Sequence, residues 1–540
     1  MPPLTDRVTQ RLESSERYRQ LVIGLDAMEW ALVEQWMGQG KMPTFQRLMQ
    51  QGVRASLRSV SEQLPDTVWP AVFTGANPAK FEKYFYVQYD PATAGLKHVS
   101  DDVIQTRPFW EYLSDAGVPV GVVDVPHFKA SRQLRGFQVS NWGSHATKTS
   151  RVSTPPELLT EIDRRFGKHP VGDCDATDCQ PKALAGLKRR VLDGVRKHGE
   201  LFRWVMRTRE WETLVVAFSA PHCIGHHFWH WLDPQHPRHG EKDDYDLADA
   251  IEQVYRAIDR ELGQMLEMVD SRTRLMVVAA HGMGPIYHAS WNLPEILQLL
   301  GHGRTPHESR TGSGARSAKS EPKRTAKVNP WRVLKMMLPG RLQYAIKAML
   351  PKWAADELLF RWYAGDRNWK GLRAFAIPNN DTVGAIRISV RGRDHDGLVE
   401  PGEPYRALCR EISDRLMELT DPVTGKHVVK KVTLLHEEFQ GPFVDGLPDL
   451  TVLWETSFPW SQLHSPVFGT LDIRRQDGRT GSHSDHGFAL MYGPEVPHGQ
   501  VLDECTLYDV APTILANAGV PTPGHMDGQS LTARWLKNGE

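Results

Sequence analysis

The chain of 540 residues has only five cysteines, Cys174, Cys179, Cys223, Cys409 and Cys505. They are odd in number and mostly scattered, which argues against a disulfide framework as the organising element. No run of about 18 apolar residues occurs, so no membrane span is expected. The opening MPPLTDRVTQRLESSERYRQ lacks the apolar stretch of a signal peptide, and a cytoplasmic location is the expectation. Charge of one sign is also missing, because 65 Lys and Arg balance 65 Asp and Glu. A dedicated nucleic-acid surface normally leaves a basic footprint, and none is expected here. With 40% hydrophobic and 24% charged residues, the composition is that of a globular protein with a large core. At about 150 residues per domain the length allows three or four units, or one large α/β core with insertions. What the chain has in quantity is histidine, 23 in all.

Short apolar runs alternate with amphipathic stretches. LVIGLD (21–26), VPVGVVDVP (118–126), TLVVAFS (213–219) and RLMVVAA (274–280) read as strands. Leu184, Leu187, Val191 and Val195 keep one helical face, as do Leu247, Ile251, Val254, Ile258, Leu262 and Met265. Such alternation predicts βαβ units and a mostly parallel sheet covered on both faces. Reactive groups in these sheets gather past the carboxyl ends of the strands, where Asp26, His222 and His281 stand.

The pattern breaks after Gly301. Residues 301–327 carry seven Lys or Arg, two Glu and almost nothing apolar, which predicts a basic disordered or mobile loop. Residues 328–363 are apolar but basic: core helices of an insertion, or a surface that docks on a partner or an anionic membrane. Together 328–435 reads as a helical insertion and small α+β cap, with the main core spanning 20–300 and 436–535. DLTVLW (449–454) reads as the return to the main sheet.

The densest constellation is PHCIGHHFWHWLDPQHPRH (221–239). On a helix, His222 and His226 stand one turn apart on one face, the spacing that lets two imidazoles reach one Zn²⁺. His230 continues that face, but about 12 Å of helix separates it from His222, too far for one ion. GLDAMEW (24–30), AHGMGP (280–285) and RTGSHSDHGFALMYGP (479–494) present Asp26, His281 and His483 at further turns beside strands. Cys174 and Cys179 read as loop thiols, since structural zinc wants four ligands.

These segments, with VWPAVFTGANPAKFEKY (68–84), GVPVGVVDVP and LYDVAPTILANAGVPTPGHMDGQSL (507–531), resemble the alkaline-phosphatase superfamily. Within it they are most similar to the type I phosphodiesterase/nucleotide pyrophosphatase group. The resemblance implies a three-layer α/β/α sandwich around a large mostly parallel sheet, with a small α+β cap insertion. It also implies hydrolysis of phosphate esters with two metal ions and a hydroxyl nucleophile, phosphodiester or nucleotide pyrophosphate bonds being favoured. Asp26 and His281 match one family metal site, but Ala280 replaces its second aspartate. His226 and His483 match the other, where His222 replaces an aspartate. The resemblance therefore implies one complete zinc site of three imidazoles and a second, degenerate one, although other divalent metals would fit. Counting back nine residues from Thr74 to the family nucleophile reaches Pro65. Thr67 is the nearest hydroxyl, Asp66 is a possible carboxylate nucleophile or added ligand, and a protein nucleophile could be absent altogether. The rival expectation is a non-catalytic metal-binding member of the fold, acting as scaffold or regulatory partner.

Overall fold

The computed structural model describes residues 18–144, 150–172, 174, 179–287, 292–302, 360, 369–380, 383–473 and 478–537. Its main sheet has nine strands. In spatial order they are Gln500–Thr506, Val53–Arg58, His486–Tyr492, Thr273–Ala279, Arg19–Leu25, Thr213–Phe218, Val120–Val123, Gly136–Ser140 and Val152–Thr154. Arg19–Leu25 lies at the centre, parallel to both neighbours, with Ile23 opposite Val216 on one side and Val277 on the other. His486–Tyr492 runs antiparallel to both of its neighbours, and Val152–Thr154 is antiparallel at one edge.

The central strands read as continuous apolar runs because both faces are covered. Side chains alternate between faces. Leu21, Ile23 and Leu25 join one core with Leu214, Val216, Phe218, Val277 and Leu490. Val22 points the other way, into a second core with Val215, Met276, Val278 and Ala489. Helices Trp30–Gly38, Pro43–Gln50, Pro181–Thr208, Ala220–Leu232 and Ala250–Leu266 cover the first face. Helices Val68–Thr74, Phe109–Asp115 and Val510–Asn517 cover the second. This is the expected three-layer α/β/α sandwich. No helix among the described residues is long and apolar enough to cross a membrane.

A smaller antiparallel sheet orders Ala374–Ala376, Gly384–Ile388, Leu450–Trp454 and Val429–Leu434, and helix Glu403–Met417 packs on it. Leu450–Trp454 therefore corrects the expectation that DLTVLW returns to the main sheet. Leu450, Val452 and Trp454 face the cap core beside Ile386, Ile388, Leu408 and Ile412. An alternating apolar strand satisfies either sheet equally well, and only its partners decide. The chain rejoins the main sheet at His486. Helix Leu293–Leu299 also buries Leu293, Ile296 and Leu297 in the cap core, so the 300 and 436 boundaries cut through the cap. Apart from residues 301–302 and 360, the proposed basic loop 301–327 and the stretch 328–363 lie outside the described residues.

Candidate metal centre

The site collects at one edge of the sheet. Asp26 follows Arg19–Leu25, His222 follows Thr213–Phe218 by one helical turn, and His281 follows Thr273–Ala279. The antiparallel strand His486–Tyr492 begins at this same edge, where Phe488 pairs with Ala279. Just before it, Gly481–Ser484 forms a two-stranded ribbon with Gly282–Pro285, placing His483 opposite Met283. One ribbon thus carries His483 to the edge that already holds Asp26, His222 and His281.

PHCIGHHFWHWL forms helix Ala220–Leu232 with Pro221 in its first turn, a position where the missing N–H costs nothing. Every residue from Ala220 to His230 is buried, because the helix lies among the sheet, two long helices and the ribbon. Its approach to the ribbon is backbone-close. A Cβ on Gly481 would meet the Gly225 carbonyl oxygen at 2.3 Å, so this position requires glycine. That closeness lets His226 Nδ1 donate to the Gly481 carbonyl at 2.7 Å, while Thr480 N donates back to His226 O at 2.8 Å. With its proton on Nδ1, His226 turns Nε2 toward His222 Nε2, 3.1 Å away.

Donor nitrogens of His222, His226 and His483 all lie within 4.8 Å of one another. The His222 and His226 rings pack 5.1 and 5.0 Å from the His483 ring. Zn–N bonds of 2.0–2.1 Å in tetrahedral geometry set nitrogens about 3.3 Å apart, so the donor set fits a zinc ion. The carbonyl behind His226 is the outer-shell partner that fixes a ligating imidazole's tautomer. His230, eight residues beyond His222, instead meets Thr480 Oγ1 through Nδ1 at 3.1 Å. Burial, then the nearby Arg238 charge, pushes its imidazole down to about 3.

Asp26 and His281 form an adjoining pair. His281 Nε2 lies 3.7 Å from Asp26 Oδ1, and the His281 ring stacks on His483 with centroids 4.4 Å apart. Sequence reasoning missed Trp69, whose indole N–H donates to the same Asp26 Oδ1 at 2.8 Å. A donor aimed at that oxygen competes with a cation there. Ala280, where the family has a carboxylate, is buried among apolar side chains of the second core.

Thr67 and Asp66 have other engagements. The Thr67 hydroxyl is buried and donates to the Leu64 carbonyl at 2.7 Å within the turn Pro65–Thr67. The Asp66 carboxylate accepts from Asn380 and lies 4.0 Å from the Lys83 ammonium. It is Trp69, two residues after Thr67, that carries this segment to Asp26.

A second missed residue is Glu29, inside GLDAMEW. Its buried carboxylate accepts from Ala31 N at 3.2 Å, Met283 N at 3.2 Å and Ser484 Oγ at 3.0 Å, tying the first loop to both ribbon strands. Burial raises its pKa, against the lowering effect of those donors. The only sequence signal was its position three residues beyond Asp26.

Beneath Asp66, Lys83 pairs with Asp101, and His127 Nδ1 lies 3.4 Å from the same carboxylate. Burial alone would raise the Asp101 carboxyl, but the Lys83 and His127 charges overcome it and hold it well below the usual range. A depressed folded pKa contributes stability above the unfolded value of about 3.9, and this is lost as pH falls through the folded one. Asp101→Asn should cost about 3–5 kcal/mol at neutral pH, because it leaves the Lys83 charge less compensated. The penalty should shrink as pH falls from about 4 toward the depressed folded value, because the unfolded chain takes up its proton before the native pair does. Urea melts across pH test this; a constant penalty down to pH 2 would contradict it.

Known proteins can be compared with this geometry. The family model described as Type I phosphodiesterase / nucleotide pyrophosphatase matches residues 20–345, more than half of the chain. Comparison with curated protein sequences finds no significant match. Among solved structures, the chain is similar to phosphonoacetate hydrolase from Sinorhizobium meliloti 1021 at 15% identity and TM-score 0.46, covering 93% of this chain and 95% of that one. It is similar to murine ectonucleotide pyrophosphatase/phosphodiesterase 5 at 13% identity and TM-score 0.48, covering 96% and 99%. Similarity to the alkaline phosphatase PafA is 12% identity at TM-score 0.49, again covering 96% and 99%. The family match, extending over the strands, turns and helices that carry Asp26, Trp69, His222, His226 and His281, decides the assignment. The chain therefore belongs to the type I phosphodiesterase/nucleotide pyrophosphatase family and is a metal-dependent phosphoester hydrolase.

Proposed function

We propose that this hydrolase cleaves phosphodiester or nucleotide-like pyrophosphate bonds in small molecules, with one Zn²⁺ held by His222, His226 and His483. The observation that carries this reading is the convergence of those three imidazoles within 4.8 Å in a chain of this family. Zinc, when bound, supplies Lewis-acid polarisation of a phosphoryl oxygen and stabilises charge on the group being transferred.

The chain's own residues supply the remainder. The Gly481 carbonyl keeps the His226 proton on Nδ1, so Nε2 is the donor atom. Trp69 fixes Asp26, and Asp26 in turn favours a proton on His281 Nε2. His281, held beside Asp26, would take the proton of the attacking group. Asp26 and His281 thus act as orienter and base rather than as holders of a second ion. The indole donor at Asp26 and the missing carboxylate at Ala280 support this assignment.

Thr67 is the candidate nucleophile, and its hydroxyl must leave the Leu64 carbonyl before it can attack. That hydrogen bond favours a second reading in which water attacks the ester directly. Thr67→Val keeps the shape and removes the oxygen. With a threonine nucleophile, hydrolysis of bis-nitrophenyl phosphate should fall by at least about 100-fold, a loss on the scale of removing a transition-state contact. Unchanged turnover in this variant would assign the attack to water. Metal analysis of protein purified without added metal should find about one zinc per chain. Two tightly bound ions would overturn the one-metal assignment, and no turnover of mono- or diester nitrophenyl phosphates would exclude these bonds as the substrate class.

A further inference from the structure

Cys174, Cys223 and His222 are all buried, and their donor atoms lie within 4.8 Å of one another. In the sequence, Cys174 has Cys179 as its near neighbour, yet the fold directs the two thiols to different partners. His227 Nε2 meets the Cys174 carbonyl oxygen at 3.2 Å, so this nitrogen carries the proton and Nδ1 is the acceptor. Cys179 Sγ lies 3.7 Å from that Nδ1, the geometry of a thiol donating to it. His227 thereby clasps the loop by the backbone of one cysteine and the side chain of the other. Cys174 is left with its sulfur against helix Ala220–Leu232, beside Cys223 and His222.

We propose that Cys174, Cys223 and His222 form a second metal site, selective for a thiophilic d¹⁰ cation such as Zn²⁺ or Cd²⁺, and that its occupancy excludes an ion from the three-imidazole site. Two thiolates and one imidazole are a known zinc donor class with an open fourth position. Sulfur donors favour soft cations over the oxygen-seeking Mg²⁺ and Ca²⁺. Binding displaces two thiol protons, and the two thiolates then neutralise a dication that would otherwise be costly to bury.

Exclusion follows from His222, which belongs to both donor sets. One imidazole can serve two cations only by giving up both ring protons, and two buried dications so close would repel. The site would therefore withdraw a ligand from the hydrolytic centre whenever a thiophilic ion fills it. The thiolate site itself does not depend on the three-imidazole set being catalytic.

The test is Co²⁺ titration of the reduced, metal-free full-length protein, following the near-ultraviolet thiolate-to-cobalt charge-transfer band that an imidazole-only site cannot give. His226→Ala, which disables the three-imidazole set alone, should keep the band at about one equivalent. Cys174→Ser and Cys223→Ser should each weaken cobalt binding in that band by at least tenfold. In the wild-type protein, which needs no variant to fold, Cd²⁺ should slow alkylation of Cys174 and Cys223 by at least tenfold. Absence of the band, or a band that survives both serine substitutions, would overturn the site. A wild-type protein binding two cobalt ions at once, one with the thiolate band and one without, would overturn the exclusion.

Discussion

His226→Ala should empty the three-imidazole site of zinc, so that any zinc the variant still binds is held with the Cys174 and Cys223 thiolates. Hydrolysis of a phosphodiester such as bis-nitrophenyl phosphate should fall by at least about 100-fold. The ring does two jobs at once. Its Nε2 is one of three donors in the imidazole set, and its Nδ1 ties the helix to the ribbon through the Gly481 carbonyl. Losing the second leaves a buried carbonyl short of a partner, which costs about 1–3 kcal/mol. His483 rides on that ribbon, so the substitution both removes one ligand and loosens another. His226→Gln separates the effects: its amide can donate to Gly481 but offers no imidazole nitrogen. It should keep most of the stability and lose the same activity. A variant that retained zinc and turnover would show that the metal centre lies elsewhere.

The sequence made part of this centre legible, for definable reasons. The strands near residues 21, 213 and 274 announced themselves because both of their faces are buried and the runs are uniformly apolar. His222 and His226 were recognisable as a pair because helical periodicity alone sets their separation. His483 is different. Its nearness to them depends on a ribbon that joins residues about 200 positions apart, and only the family resemblance suggested it. Trp69 at Asp26 had no local signal, since an indole's partner 43 residues away is a product of packing. The resemblance also drew attention to the segment around Thr67 without fixing its side chains. In the structure, the local turn claims the threonine hydroxyl and a buried lysine claims the neighbouring aspartate. The strand at Leu450 failed differently, because alternation identifies a half-buried strand but not the sheet it joins.

Ala280→Asp should be the most destabilising single change at the site in metal-free protein, and the one most strongly rescued by metal. Ala280 is 1% exposed and belongs to the second core, as do Val278, Met276 and Trp69. An unpaired carboxylate there costs on the order of 3–5 kcal/mol, unless it takes up a proton. A raised folded pKa gives a definite pH trend. Stability is least affected below the unfolded value of about 3.9 and declines as pH rises from there to the folded value. Zinc reverses the situation if the new carboxylate joins Asp26 and His281 as a ligand set. At 100 times its dissociation constant, a bound ion returns about 2.7 kcal/mol, and metal content should climb from about one toward two per chain. Hydrolysis should stay flat or fall as the second ion binds, because the ion takes Asp26 and His281 away from proton transfer. Trp69 opposes binding of that ion, because its N–H already occupies Asp26 Oδ1. Adding Trp69→Phe to Ala280→Asp removes that donor while keeping an aromatic ring in the core. The double variant should therefore bind the second zinc more tightly than Ala280→Asp alone. If zinc rescues neither variant and the content stays at one, the first family site is closed by more than its missing carboxylate, and the Asp26–His281 pair serves proton transfer only.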